Sequence, residues 1–336
     1  MVPRMRDVLI IGAGVAGLKA AGDLAAGGKR VLVLEKSRGF GGRAATRRWE
    51  GTRVDHGAQF FTARDPAFRQ QVDRWVEEGL CFEWCRGFHQ WRENRLTAPV
   101  GAAAFPRFAV RHGMNGLGKE LARGLEVRRE TTVTALRTTG HGWEAVGADG
   151  AVYAGAALLL TTPAPQAQNL LLTLDQPPSD LLEILRQQRV APSIAVMAAY
   201  PEAGRPDWNG IQADDTTVGW IGLNSGKHPA EQGQIVVMHA ADGFSKAWQD
   251  RDLEEAADLM VERAAGMGGE WLRRPAARAV HRWRYARPLH PAPPSPFASS
   301  VETPGLFLAG DGLGGGKIEG AWLSGRAAAA ALAVAG

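Results

Sequence analysis

The chain has 336 residues, 45% of them apolar and 22% charged, with 39 basic against 35 acidic residues for a formal charge of +4. That length accommodates two domains with buried cores, and the composition argues against a mainly disordered chain. No Lys/Arg tract interrupts it, which argues against nucleic-acid binding, and no run approaches the roughly 20 apolar residues that span a bilayer.

Residues 8–11 and 31–34 read as short buried parallel strands, joined by a helix over 15–26 that stops at Gly27-Gly28. Together they form a βαβ unit. A Gly/Arg-rich loop covers 37–48, and 54–61 alternates too irregularly for a clean strand. Residues 69–79 place Val72, Trp75 and Val76 on one side and read as a helix. The Trp-, Phe- and Arg-rich stretch 81–111 reads as strands and turns of an inserted second domain. A helix over 114–121, meander strands over 126–137 and 142–152, and a buried strand over 157–160 return to the first domain. Thr161-Thr162-Pro163-Ala164-Pro165 stops that last strand. Beyond it come a helix from Ser179, strands around 194–200, 219–223 and 234–240, and a helix over 253–267. A Pro-rich connection over 288–296 leads to a strand over 306–309 and an Ala-rich helix opening at Glu319. Cys81 and Cys85 have no second pair, which supports neither a disulfide framework nor a metal site and fits a reducing cytoplasm.

The first turn carries Gly12-Ala13-Gly14-Val15-Ala16-Gly17. Gly12 and Gly14 allow a tight turn and close backbone approach to a pyrophosphate, and Gly17 lets the helix pack on the sheet. The first helical turn, with Ala16 in it, offers free N–H groups and the positive dipole end. Glu35 ends the second strand, where a carboxylate binds ribose hydroxyls. Lys36 and the loop Ser37-Arg38-Gly39-Phe40-Gly41-Gly42-Arg43 follow directly; Gly42 brings backbone near a cofactor, and Arg43 offers a planar cation to phosphates.

Near the other end, Asp311 follows Leu306-Phe307-Leu308-Ala309-Gly310, where a carboxylate meets ribityl or phosphate-adjacent hydroxyls. Glu319-Gly320-Ala321 then opens a helix whose N–H groups suit the negative charge that grows on a reduced flavin. A dinucleotide gripped at both ends of the chain is an FAD arrangement more than an NAD one, and no cysteine sits in a motif that would tether it. A second glycine fingerprint for a pyridine nucleotide is lacking. His239, at the end of an apolar strand, either faces the site or packs at the sheet end. Trp283, Tyr285 and Arg287 either line a pocket or pack at a domain junction, and Asn224 is a substrate contact or a turn residue.

Lys36-Ser37-Arg38-Gly39-Phe40-Gly41-Gly42-Arg43, Asp55-His56-Gly57-Ala58-Gln59-Phe60-Phe61-Thr62-Ala63-Arg64-Asp65 and Thr162-Pro163-Ala164-Pro165-Gln166 resemble blocks of the bacterial renalase family, within the larger FAD amine-oxidase superfamily. So do His281-Arg282-Trp283-Arg284-Tyr285-Ala286-Arg287-Pro288 and Glu319-Gly320-Ala321-Trp322-Leu323-Ser324-Gly325. The resemblance runs over about 7–330 and is loosest over 166–280. It implies an α/β, p-hydroxybenzoate-hydroxylase-like fold, a Rossmann-type FAD-binding domain plus an α+β substrate domain. The expected limits are 1–64, 111–165 and 300–336 for the first and 65–110 and 166–299 for the second.

The resemblance also implies noncovalent FAD and oxidation of aberrant 2- and 6-dihydro isomers of NAD(P)H, with hydride passing to flavin N5 and O2 reduced to hydrogen peroxide. Gln59 and Phe60 are then expected near the isoalloxazine, Val133 at the adenine through its backbone, and Asn224 in the substrate domain, with Tyr285 and Arg287 as further substrate candidates. Gln59, His239 and Trp283 are the catalytic candidates. Such chemistry asks for orientation and stacking more than acid or base groups. The competing expectations are an FAD-dependent amine or polyamine oxidase and a non-catalytic FAD-binding interaction module.

Overall fold

The computed structural model describes residues 5–99, 105–289 and 295–334. The chain divides into two compact units, Met1–Gly42 with Leu117–Val190 and Arg287–Gly336, and Arg43–Gly116 with Ala191–Ala286.

Among the described residues the first unit carries an eight-stranded sheet. The strand Arg6–Ile11 runs parallel to Val31–Leu34 on one side and to Val152–Leu160 on the other, and Leu306–Ala309 continues the parallel part beyond Val152–Leu160. Val133–Thr139 and Gly142–Gly147 extend it as an antiparallel meander. Both faces are covered, which explains the uninterrupted apolar runs. Leu9, Ile11, Leu32 and Leu34 pack on one side with the leucines of the helices Ala164–Leu171 and Ser179–Gln187. Val8, Ile10 and Val33 pack on the other, with Leu18, Leu24, Ala328 and Leu332 of the helices Val15–Ala26 and Lys317–Val334.

The second unit is built on a seven-stranded sheet in the order Ala277–Pro288, Val190–Tyr200, Gln234–Ala240, Val218–Leu223, Gly210–Ala213, His89–Arg92, Arg95–Thr97. The helix Leu253–Gly268 buries Ala256, Ala257, Met260, Val261 and Ala264 against its core. Two small antiparallel pairs, the hairpin of Thr46–Trp49 with Thr52–Asp55 and the pair of Cys81–Cys85 with Arg107–Val110, complete it.

These limits differ from the expected domain limits. Residues 43–64 fall in the second unit, because Asn224 clasps the strand Thr52–Asp55: its Nδ2 donates to Arg53 O at 2.8 Å and its Oδ1 accepts from Asp55 N at 3.1 Å. Residues 166–190 fall in the first, because Leu170, Leu171, Leu181, Leu182 and Leu185 bury against its sheet. Residues 111–116, 287–289 and 295–299 likewise change sides.

Element limits also move. The helix expected from 69 starts at Pro66, since Asp65 caps it by accepting from Ala67 N and Phe68 N at 2.9 and 3.1 Å. The expected strand over 126–137 is broken into Val127–Arg128 and Val133–Thr139. Pro163 caps a helix, Ala164–Leu171, directly after the strand it stops. The last helix begins at Lys317, so Glu319 lies within its first turn. Of the Pro-rich connection 288–296, residues 290–294 lie outside the described residues; Pro288 itself ends a strand. Among the described residues no helix is long and apolar enough to cross a membrane.

Candidate functional site

In the first unit the glycine turn is held from three directions. Glu35 is buried, and its carboxylate accepts from Ala13 N at 2.7 Å and from Ser37 N at 2.8 Å, pinning the turn and the following loop to one side chain. Gly41 N donates to Ala13 O at 2.9 Å, and Thr161 Oγ1 shares its single proton between Ile11 O and Gly12 O, each at 3.0 Å. Gly12 has a φ of 109°, and a Cβ there would meet Thr161 Oγ1 at 2.7 Å. Glycine is required on both counts.

The first and last helices meet on this unit. A Cβ at Gly325 would stand 2.2 Å from Ala16 O, so the helices Val15–Ala26 and Lys317–Val334 touch backbone to backbone. Lys19 Nζ lies 4.5 Å from the centre of the Trp322 ring. Gly314 and Gly320 are in similar contact, with Cβ positions about 2 Å from each other's carbonyl oxygen. Val133 follows a segment tied to Glu35 through Glu35 N to Arg128 O, 2.8 Å, and Thr131 N to Glu35 O, 2.9 Å.

In the second unit a polar network lies under the turn 55–59. Asp55 is excluded from solvent, and Thr46 Oγ1, Met114 N, Lys227 Nζ and His228 Nε2 surround its carboxylate at 2.6–2.9 Å. Burial opposes its ionisation, but the Lys227 ammonium and His228 outweigh burial and hold the carboxyl below its ordinary range. Lys227 Nζ donates also to Gln59 O at 2.8 Å. Gln59 Nε2 donates to the carbonyls of Asp55 and Gly57 and lies 3.3 Å from His239 Nε2.

Next to this network stand three rings. His56 and His281 meet edge to face at 4.8 Å, His56 and Trp283 stack at 5.5 Å, and Trp283 Nε1 donates to His56 O at 2.9 Å. Burial, then repulsion from His281 and Arg47, pushes His56 down to about 4. Burial, then His56 and Lys227, pushes His239 down to about 4 as well. Both are neutral imidazoles at pH 7. Phe60 joins a separate aromatic group with Phe88 at 4.8 Å and Trp220 at 5.6 Å.

The chain matches the family model described as flavin containing amine oxidoreductase over residues 76–333, and that of the NAD(P)-binding Rossmann-like domain over 10–75. The chain belongs to the flavin containing amine oxidoreductase family. All-trans-retinol 13,14-reductase of Rattus norvegicus is 28% identical over 59% of this chain and 32% of its own length. (S)-6-hydroxynicotine oxidase of Paenarthrobacter nicotinovorans is 39% identical over 30% of this chain and 24% of its own. The matches thus span a third or less of these curated relatives. Among solved structures, putrescine oxidase bound to putrescine aligns with a TM-score of 0.76 at 15% identity over 98% of this chain and 99% of that one. Cyclohexylamine oxidase of Brevibacterium oxydans aligns at 0.74 and 12% over 98% and 99%, a likeness of fold.

FAD is the cofactor expected of this flavin oxidoreductase, and the first unit fits it. Gly14 precedes the helix Val15–Ala26 without a side-chain cap, and a Cβ at Gly14 would meet nothing within 4 Å. Open space therefore lies beside Gly14, next to first-turn N–H groups that have no partners within the helix. Each Glu35 oxygen, after accepting one backbone N–H, keeps a lone pair for a hydroxyl.

The expected cofactor residues are divided. Gly12, Gly14, Ala16, Gly17, Glu35, Lys36, Gly42, Val133, Asp311, Glu319, Gly320 and Ala321 lie in the first unit of the oxidoreductase; Arg43, Gln59 and Phe60 lie in the second. Arg43 Nη1 donates to Ala286 O at 3.2 Å. Gln59 and His239 are brought together, whereas Trp283 joins His56. Tyr285 and Arg287 follow Trp283 at alternate positions of its strand, hence on its face, but Arg287 falls in the first unit. Asn224 is fully buried with both amide atoms engaged by Arg53 and Asp55, so its side chain holds a strand in place. Sequence reasoning missed Thr161, Lys227 and His228. Thr161 had a signal, a threonine ending a strand parallel to the glycine-turn strand; Lys227 and His228 had none, because a local Ser-Gly-Lys-His string reads as an exposed turn.

Proposed function

We propose that the protein is a renalase-like FAD-dependent oxidase of 2- and 6-dihydro-NAD(P) isomers. Gly12, Gly14, Ala16 and Gly17 hold the FAD pyrophosphate, Glu35 a ribose and Val133 the adenine, with Asp311 and the 319–321 turn at the other end of the cofactor, all noncovalently. FAD, when bound, supplies the two-electron acceptor chemistry. The substrate loses two electrons and one proton from a ring carbon; O2 takes up those electrons, with that proton and a second from water, as hydrogen peroxide.

The observation that carries this reading is the charge of the second unit's cluster. Its buried carboxylate, Asp55, is neutralised by Lys227 at 2.8 Å, and its imidazoles His56 and His239 are held uncharged beside the cations Arg47 and Lys227. A cationic amine or polyamine gains nothing there, whereas an uncharged dihydropyridine on an anionic dinucleotide does. Because a dihydropyridine becomes an aromatic cation without giving up a separate proton, His56, His281 and Trp283 need only stack and orient it. The fold likeness to putrescine oxidase motivates the competing amine reading.

The test mixes FAD-loaded protein anaerobically with the 2- and 6-dihydro isomers, ordinary NADH and NADPH, and putrescine, following loss of oxidised-flavin absorbance. Rapid bleaching by at least one isomer, with ordinary NAD(P)H and putrescine far slower, is expected. Bleaching by putrescine and not by the isomers assigns an amine oxidase, and bleaching by none leaves an FAD-binding interaction module.

A further inference from the structure

Lys227 balances the charge of Asp55, but no step of the proposed reaction uses it directly. Its ammonium donates to Asp55 Oδ2 and to Gln59 O, both at 2.8 Å, and reaches Gln59 Oε1 at 3.4 Å. At the other end of the same amide, Gln59 Nε2 donates to the carbonyls of Asp55 and Gly57. An ammonium only donates and a carbonyl only accepts, so the amide has a single sense, oxygen toward Lys227 and nitrogen away from it.

That sense has a consequence 3.3 Å further on, at His239 Nε2. Both protons of the facing Gln59 nitrogen go to the Asp55 and Gly57 carbonyls and the nitrogen has no lone pair to offer, so a proton on His239 Nε2 would find no acceptor there. The matched imidazole carries its proton on Nδ1, which lies 3.4 Å from Ser193 Oγ. Resting on the reading of His239 as part of the substrate site, we propose that Lys227 is a positioning residue: together with the Asp55 and Gly57 carbonyls, which hold the nitrogen end, it orients the Gln59 amide and through it holds His239 as the neutral Nδ1–H tautomer. A neutral imidazole with a fixed proton offers an acceptor at one nitrogen and a donor at the other in a constant direction, which a freely exchanging ring does not.

The experiment records 15N spectra of the imidazole in FAD-loaded, histidine-labelled protein, with His239→Gln to assign the signal, so no turnover enters the readout. Wild type is expected to show a bare Nε2 and a protonated Nδ1. In Gln59→Glu a carboxylate that only accepts faces His239, and the proton is expected to move to Nε2. Lys227→Met removes the donor that holds both the backbone and amide oxygens of Gln59, and with them the 55–59 turn, so a mixture of tautomers is expected, with Lys227→Arg restoring the wild-type pattern. Should Lys227→Met fail to fold, the double variant Asp55→Asn, Lys227→Met removes both buried charges together, which folded proteins tolerate better than losing one.

With an isomer that bleaches the flavin, kcat of Lys227→Met is expected to fall about tenfold or more while KM changes little, and Lys227→Arg to recover most of it. A wild-type Nε2–H tautomer, or a folded Lys227→Met or double variant with the wild-type imidazole pattern, overturns the proposal. If no dihydro isomer is a substrate, the proposed function fails and the tautomer result stands on its own.

Discussion

Asp55 is a carboxylate without access to water, and its cost is offset only while its partners remain. Replacing it with Ala leaves the Lys227 ammonium buried without a counter-charge. The expected loss of stability is about 3–5 kcal/mol. Glu83→Ala, which removes the exposed pair with Arg86, is expected to cost no more than about 1 kcal/mol. Urea unfolding of the two variants separates the cases, and equal effects would remove the network from the stability argument. Glu35 was legible from sequence because a strand end 18 residues past Gly17 is a place where carboxylates meet ribose. Its second job, pinning Ala13 and Ser37, was not legible, since hydrogen bonds to backbone leave no residue pattern. Lys227 was hidden for a different reason: its partners Asp55 and Gln59 are 172 and 168 positions away. No local window contains them.

At the scale of elements, the helix Val15–Ala26 has the limits its sequence implies, because a glycine turn precedes it and Gly27-Gly28 ends it. The strand Ala277–Pro288 was not legible. Its Arg282 and Arg284 alternate with His281, Trp283 and Tyr285, and partly exposed residues on both faces give no apolar run to read. Packing between the terminal helices was half legible: small residues filled both, but only the structure pairs Ala16 with Gly325. Gly325→Val puts a branched side chain where a Cβ already stands 2.2 Å from Ala16 O. The helices must separate, with an expected loss of about 1–3 kcal/mol and weaker FAD retention on gel filtration. Gly22→Ala, in the same first helix but with nothing within 4 Å of the new Cβ, is expected to stabilise by about 0.5–1 kcal/mol and to keep its flavin. If both variants retain FAD and melt alike, close helix contact does not shape the cofactor site.

Over the whole molecule, acid should act unequally on the two units. His56 and His239 are pushed down to about 4 from an ordinary 6.5 and His281 is lowered too, and all three lie in the second unit. Between pH 6.5 and about 4 the unfolded chain binds protons at these positions that the folded chain refuses, so stability falls as pH falls through that window. The lowered carboxyl groups of Asp7 and Glu302 in the first unit, and of Asp55, Asp215 and Asp258 in the second, begin to contribute near the low end of that window, as pH falls through the ordinary carboxylate range, and mostly below it. Hydrogen exchange of FAD-loaded protein at pH 7.5 and 4.5, corrected for the intrinsic pH dependence of exchange, tests this directly. Protection of the strands Val190–Tyr200 and Gln234–Ala240 is expected to drop at pH 4.5, while Arg6–Ile11 and Val152–Leu160 keep theirs. His56→Gln removes one of the refused protons and is expected to narrow the difference. A uniform loss across both sheets would place the acid sensitivity outside the imidazole cluster.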